Sequence, residues 1–244
     1  MALLLIPGFM LDADLWRDVE SELSPFSPFI HGDLTQDSSI ETMAARVLEQ
    51  APQHFALVGF SMGGYVAREI TRRAPERVQG LILIATSARG DSPTLAARKA
   101  AASNNATASS FNGLSRPAIL RSLHPDHGKD ETMIERIRDM NKRLGPEVFV
   151  RQSSLVREDG RGWLNEIQCP TLVVAAAQDA LRSLEEAQEL QAGIPGAKLE
   201  VIEDSGHMLP LEVPHALATV MRIFLRPCDQ PLNTPSMNGI NVRQ

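Results

Sequence analysis

Short apolar runs alternate with stretches of helical spacing from the first residues onward, and this alternation constrains the chain more than any other feature. A strand that is apolar at consecutive positions must be covered on both faces, and helices between successive strands supply that cover. Ala2 to Ile6, Phe55 to Gly59, Leu81 to Ile84, Thr171 to Ala177 and Leu199 to Ile202 read as such strands, with a shorter one over Phe26 to Ile30. Leu11, Leu15, Trp16, Val19 and Leu23 recur at helical spacing, as do Ile40, Met43, Ala44, Val47 and Leu48. Ser38 and Glu41 stand at capping-box spacing before the second of these helices. Further helices are expected over Met62 to Arg73, Leu184 to Leu190 and Ala216 to Leu225. The expected fold is therefore α/β, a mostly parallel, doubly wound sheet.

The rhythm breaks once. From Ser87 to Gln168 small and polar residues and helical patterns replace it, with no convincing strand. Residues 87–168 thus read as a helical lid inserted into a core made of 1–86 and 169–227. Beyond Pro227 apolar periodicity disappears, so 228–244 reads as an unstructured tail.

A net charge of −6 argues against a nucleic-acid partner, whose affinity depends on Lys and Arg neutralising phosphates. A small, neutral or apolar substrate fits better. The two cysteines, Cys169 and Cys228, make neither a disulfide framework nor a zinc motif. The opening MALLLIPGFM has no basic segment before its apolar run, which Pro7-Gly8 interrupts at once. No run approaches the roughly 18 apolar residues of a membrane span. The expectation is a cytoplasmic protein needing no membrane, metal or organic cofactor; its oligomeric state is not readable.

The chemistry-bearing segment is Gly59-Phe60-Ser61-Met62-Gly63-Gly64, a G-x-S-x-G pattern that follows an apolar run and precedes a helix. A sharp strand-to-helix turn projects a serine hydroxyl and brings neighbouring backbone so close that positions 59 and 63 need glycine. A serine is a weak nucleophile without a base, and this kind of sheet supplies Ser, then Asp or Glu, then His in chain order. Asp179 follows the strand ending at Ala177, and His207, within Asp204-Ser205-Gly206-His207-Met208, follows the strand ending at Ile202. Both sit where ligand sites of parallel sheets gather. Asp179 could instead cap the next helix, Asp33 is a rival acid, and Asp204 is too near His207 in sequence to orient it. His31, His54, His124, His127 and His215 read as surface or cap residues, with His124 and His127 the two that could reach substrate from the lid. The turn Ile6-Pro7-Gly8-Phe9-Met10 can aim the Phe9 N–H inward beside that of Met62, forming an oxyanion hole.

These residues resemble the α/β-hydrolase superfamily, especially its compact esterases, enol-lactonases and meta-cleavage-type hydrolases with helical lids. The resemblance spans Leu3 to Leu225 and includes the phrases Ala74-Pro75-Glu76-Arg77-Val78, Ser205-Gly206-His207 and Glu212-Val213-Pro214. It implies Ser61, Asp179 and His207 as a triad and the Phe9 and Met62 amides as oxyanion hole. Three departures stand out. Pro7 replaces the His of the family's usual His-Gly, Gly32 to Asp37 replaces a proline-glycine turn, and the antiparallel strands that commonly precede the first motif are trimmed. The activity expected is hydrolysis of a small carboxylic ester, thioester or lactone through an acyl-enzyme on Ser61, falling in acid because a protonated imidazole cannot accept a proton. Carbon-carbon bond hydrolysis or a lyase step at the same triad, and ligand binding without turnover, are the alternatives.

Overall fold

The structure, a computed structural model, describes residues 1–94, 96, 97, 99 and 111–228. In chain order the elements are β1 (Ala2–Ile6), α1 (Arg17–Glu22), β2 (Phe29–His31), α2 (Ile40–Gln50), β3 (Phe55–Phe60), α3 (Met62–Arg73) and β4 (Val78–Ile84). Then follow α4 (Arg116–Arg121), α5 (Glu131–Ser153), β5 (Thr171–Ala176), α6 (Leu184–Gly193), β6 (Lys198–Ile202), α7 (Leu209–Glu212) and α8 (Pro214–Cys228). The strands form one six-stranded sheet in the order β2-β1-β3-β4-β5-β6. Every pairing is parallel.

Alternation along each strand divides the core in two. Leu3, Leu5, Val58, Ile82 and Val174 face Trp16, Val19, Leu217, Met221 and Leu225. Their chain neighbours Leu4, Ile6, Leu57, Leu83 and Val173 face Met43, Val47, Val66, Ile70 and Leu190 on the other side. Both faces are buried, which is why Leu3 to Ile6, Leu81 to Ile84 and Leu172 to Ala176 show no two-residue alternation of polar and apolar residues. From β1 the chain moves outward to β2, then returns to the opposite flank of β1 as β3. That reversal opens a crevice at the carboxyl ends of β1 and β3, the ligand position of open α/β sheets.

Several local readings shift. The first helix is a 3₁₀ turn over Ala13–Trp16 that continues into α1, and β2 begins at Phe29 rather than Phe26. Ser39, not Ser38, caps α2, accepting from Thr42 N at 3.2 Å. Glu41 is therefore not its capping-box partner. The reciprocal box forms instead at α6, between Ser183 and Glu186.

Between β4 and β5 the described residues contain only helical elements: α4, a 3₁₀ turn over Pro125–Lys129, α5 and another 3₁₀ turn over Arg161–Glu166. Gly145, at φ 78°, breaks α5 just before Pro146. Ile119, Ile134, Ile137 and Met140 from this segment join the same core face as Trp16 and Phe60. Cys228 closes α8, and the rest of the expected tail lies outside the described residues. Among the described residues no helix is long and apolar enough to cross a membrane.

Candidate active site

Ser61 sits between β3 and α3 in a left-handed conformation, φ 52° and ψ −112°. For a residue with a side chain this costs about 1–3 kcal/mol and needs support from its surroundings. Ser61 N donates to Ile84 O at 2.9 Å, and Thr86 Oγ1 donates to Ser61 O at 2.6 Å. A Cβ on Gly59 would stand 2.6 Å from Gly63 O, and one on Gly63 would stand 2.4 Å from Pro7 O. Both glycines are thus required by the close approach of backbone. Among the described residues the non-glycine residues with positive φ are Met10, Ser61, Ala85 and Asp204, each in the segment following a strand's carboxyl end. Strain gathers on the rim where the site lies.

Three predicted residues converge there. His207 Nε2 is 2.9 Å from Ser61 Oγ, and His207 Nδ1 is 2.7 Å from Asp179 Oδ2. A carboxylate only accepts, so Nδ1 carries the ring proton and Nε2 is left free to accept from the serine hydroxyl. The Asp179 side chain is 2% exposed and that of His207 7%, so water competes little for this contact. Asp179 also caps: its Oδ1 accepts from Leu181 N at 2.7 Å and Arg182 N at 2.9 Å. Asp179 therefore meets the imidazole with one oxygen and caps the following turn with the other.

The rivals are elsewhere. Asp33 accepts from Thr35 N at 2.8 Å, and Asp204 is no partner of the imidazole. His124 caps the 3₁₀ turn that follows it, while His127 Nδ1 lies 2.9 Å from Glu212 Oε2. Glu212 was not singled out for this from the sequence. Its buried carboxylate accepts from His124 N at 2.6 Å and Met208 N at 3.0 Å, pinning the His207 loop to the segment after α4.

Phe9, Ser61 and His207 border a common cavity of about 470 Å³, whose apolar walls include Leu114, Ile137 and Phe149. Met62 opens α3, so its N–H has no carbonyl a turn earlier to bond. The Phe9 loop is held by residues that periodicity did not reveal. Met10 N donates to Gln152 Oε1 at 2.8 Å, and Asn141 Nδ2 donates to Met10 O at 2.7 Å. Two buried side chains of α5 thus support the loop that begins at Pro7. Their signal in the sequence is faint: polar residues on a helical stripe shared with Ile134, Ile137 and Val148.

Fold and site together define a serine hydrolase. The chain belongs to the alpha/beta hydrolase fold family, whose model matches residues 2–214. It is 36% identical over 106 residues, 40% of each chain, to the pimeloyl-[acyl-carrier protein] methyl ester esterase of Citrobacter koseri. To the enzyme of the same name from Aliivibrio salmonicida it is 24% identical over 248 aligned positions, 93% of each chain. Among solved structures, a thermophilic esterase from Thermogutta terrifontis with malate bound superposes with a TM-score of 0.83 at 28% identity, covering 94% of this chain and 91% of that one. The enol-lactonase of Burkholderia xenovorans gives a TM-score of 0.80 at 21% identity over 92% and 90% of the two chains, a likeness of fold.

Proposed function

We propose that the protein hydrolyses small carboxylic esters, thioesters or lactones through an acyl-enzyme on Ser61, with His207 as base and Asp179 as its orienting acid. The observation that carries this reading is the 2.9 Å contact from Ser61 Oγ to His207 Nε2, on an imidazole whose other nitrogen is anchored. In the first half, Oγ bonds to the carbonyl carbon as its proton passes to Nε2. The carbonyl oxygen becomes an oxyanion facing the Phe9 and Met62 amides. Its collapse breaks the bond to the leaving alkoxide or thiolate, which takes the proton from Nε2. Water repeats the cycle: its proton goes to Nε2, its oxygen to the acyl carbon, and the proton then returns to Ser61 Oγ as the acid leaves. Two preorganised donors at the oxyanion are worth several kcal/mol of barrier.

Segment 87–168 is the lid in this reading, since α4 and α5 supply much of the cavity wall; its residues 95, 98 and 100–110 lie outside the described residues. The cytoplasm is its setting. Methyl esters are the first substrates to try, because two relatives are named methyl ester esterases. A fluorophosphonate should label the wild type at Ser61 and leave Ser61→Ala unlabelled, with methyl ester turnover lost in step. An unlabelled wild type, or label retained by Ser61→Ala, would refute the proposal.

A further inference from the structure

The charge of the cavity is opposite to that of the chain. The net charge of the sequence is −6, yet beside His207 the charged residues on the cavity wall are Lys99, Arg121, Arg157 and Arg182, with no Asp or Glu among the described lining residues. Acidic residues outnumber basic ones 30 to 24 in the sequence, so an all-cationic set on one wall runs against the overall composition.

The cations are only partly neutralised from behind. Lys99 Nζ lies 2.6 Å from Asp91 Oδ2, and Arg157 Nη1 lies 3.6 Å from Asp91 Oδ1, so one carboxylate serves two cations. Arg182 Nη1 reaches Glu186 Oε1 at 3.1 Å, but Glu186 also accepts from Ser183 N at 2.8 Å. Arg121 pairs with no carboxylate among the described residues. Four cations therefore stand against two carboxylates. Within this group Arg157 and Arg182 both lie over the Tyr65 ring, at 5.1 and 5.9 Å, where like charges repel. Burial first, and then the charge of Arg182, hold the Arg157 guanidinium below its usual range. Its Nε is buried with no hydrogen-bond partner. Across the cavity Leu114, Ile137 and Phe149 form an apolar wall suited to methylenes.

We infer that the cavity selects esters bearing a second, ionised carboxylate: half-esters of dicarboxylic acids, whose free carboxylate meets Arg157 and Arg182 while the ester lies at Ser61. This rests on the reading of Ser61 as an ester-cleaving nucleophile. The apolar wall holds the intervening chain, and the carboxylate supplies the negative charge that the arginines lack. No step of the reaction changes; the arginines act on binding, so their effect falls on KM more than on kcat.

The test compares monomethyl with dimethyl adipate, two esters differing in one ionisable group. In the wild type kcat/KM should favour the half-ester about tenfold or more, the value of one charge-assisted hydrogen bond. Raising the salt concentration should shrink that ratio in the wild type, with no substitution needed. Arg182→Gln, and Arg157→Gln if it folds, should bring it towards one; being a ratio within each variant, it is insensitive to the amount of active protein. Equal or better cleavage of the diester by the wild type, or a ratio that survives Arg182→Gln, overturns the inference. If neither ester turns over, calorimetry with monomethyl adipate and Ser61→Ala decides. Binding that Arg182→Gln abolishes upholds the carboxylate site and places the failure on the Ser61 reading, whereas absent binding overturns the site itself.

Discussion

Replacing Asp179 by asparagine changes one atom and separates orientation from shape. Asp179 serves two clients: Oδ2 meets His207 Nδ1 at 2.7 Å, and Oδ1 accepts from Leu181 N and Arg182 N at 2.7 and 2.9 Å. An asparagine has a single oxygen. If that oxygen turns to His207, its NH₂ faces two backbone donors, and leaving the part-buried Arg182 N–H without an acceptor costs about 1–3 kcal/mol. If the oxygen stays with the backbone, the NH₂ faces Nδ1, which must then accept. The ring proton moves to Nε2 and points at Ser61 Oγ, so the base is gone. The second arrangement keeps every backbone bond and is the lower in energy. The expected loss in kcat is about 10⁴-fold, or ~5 kcal/mol of barrier, the usual effect of the wrong tautomer in a triad. Steady-state hydrolysis of a methyl ester, normalised by active-site titration, measures it. Thermal melting should show a folded protein within about 1 kcal/mol of wild type, since the cap is retained. A folded Asp179→Asn that loses less than about tenfold would refute the tautomer argument.

Gly63→Ala should destabilise the fold by about 2 kcal/mol or more, because the new Cβ would stand 2.4 and 2.5 Å from the Pro7 and Ile6 carbonyl oxygens at the end of β1. Denaturant titration reads this, and an unchanged midpoint would contradict the close packing. Glu69→Gln should flatten the acid limb of the stability profile. Burial pushes the Glu69 carboxyl up, but bonds from Arg72 and Arg73 outweigh it and hold it below the usual range. A depressed carboxyl contributes stability above its unfolded value and loses it as pH falls through the folded one, so wild type should weaken more than Glu69→Gln between about pH 5 and pH 2. Parallel acid limbs would count against this pairing.

The inner strands are legible because burial on both faces leaves Leu3 to Ile6 and Leu81 to Ile84 as unbroken apolar runs, whereas the edge strand β6 exposes Lys198 and Glu200. Ser61, Asp179 and His207 are legible for a related reason. Each follows the carboxyl end of a strand, and parallel strands in register bring those ends to one rim, as Ile6 with Gly59, Phe60 with Ile84 and Ala176 with Ile202 demonstrate. Caps are less legible: two adjacent serines offer nearly the same spacing, and the choice of Ser39 over Ser38 depends on where the backbone turns extended.

The support of the Phe9 loop lies beyond any such pattern. Gln152 acts 142 residues away from the Met10 amide it accepts from, and its Nε2 donates to Leu34 O at 3.1 Å on a different loop. Neither contact leaves a period or a motif, because each couples a helix that packs by its apolar stripe to backbone that carries no side-chain code. Proline at position 7 has no N–H to donate, so it cannot tie down the turn from within. Asn141 and Gln152 do so from outside, fixing a residue held at φ 55°. The geometry of the turn after β1 is therefore coupled to α5. That helix bonds to the backbone of Met10, whereas Ser61 is held by Ile84 O and Thr86 Oγ1 and His207 by Asp179. So α5 bears on the oxyanion side of the site, and β4 and the loop after β5 bear on the nucleophile side.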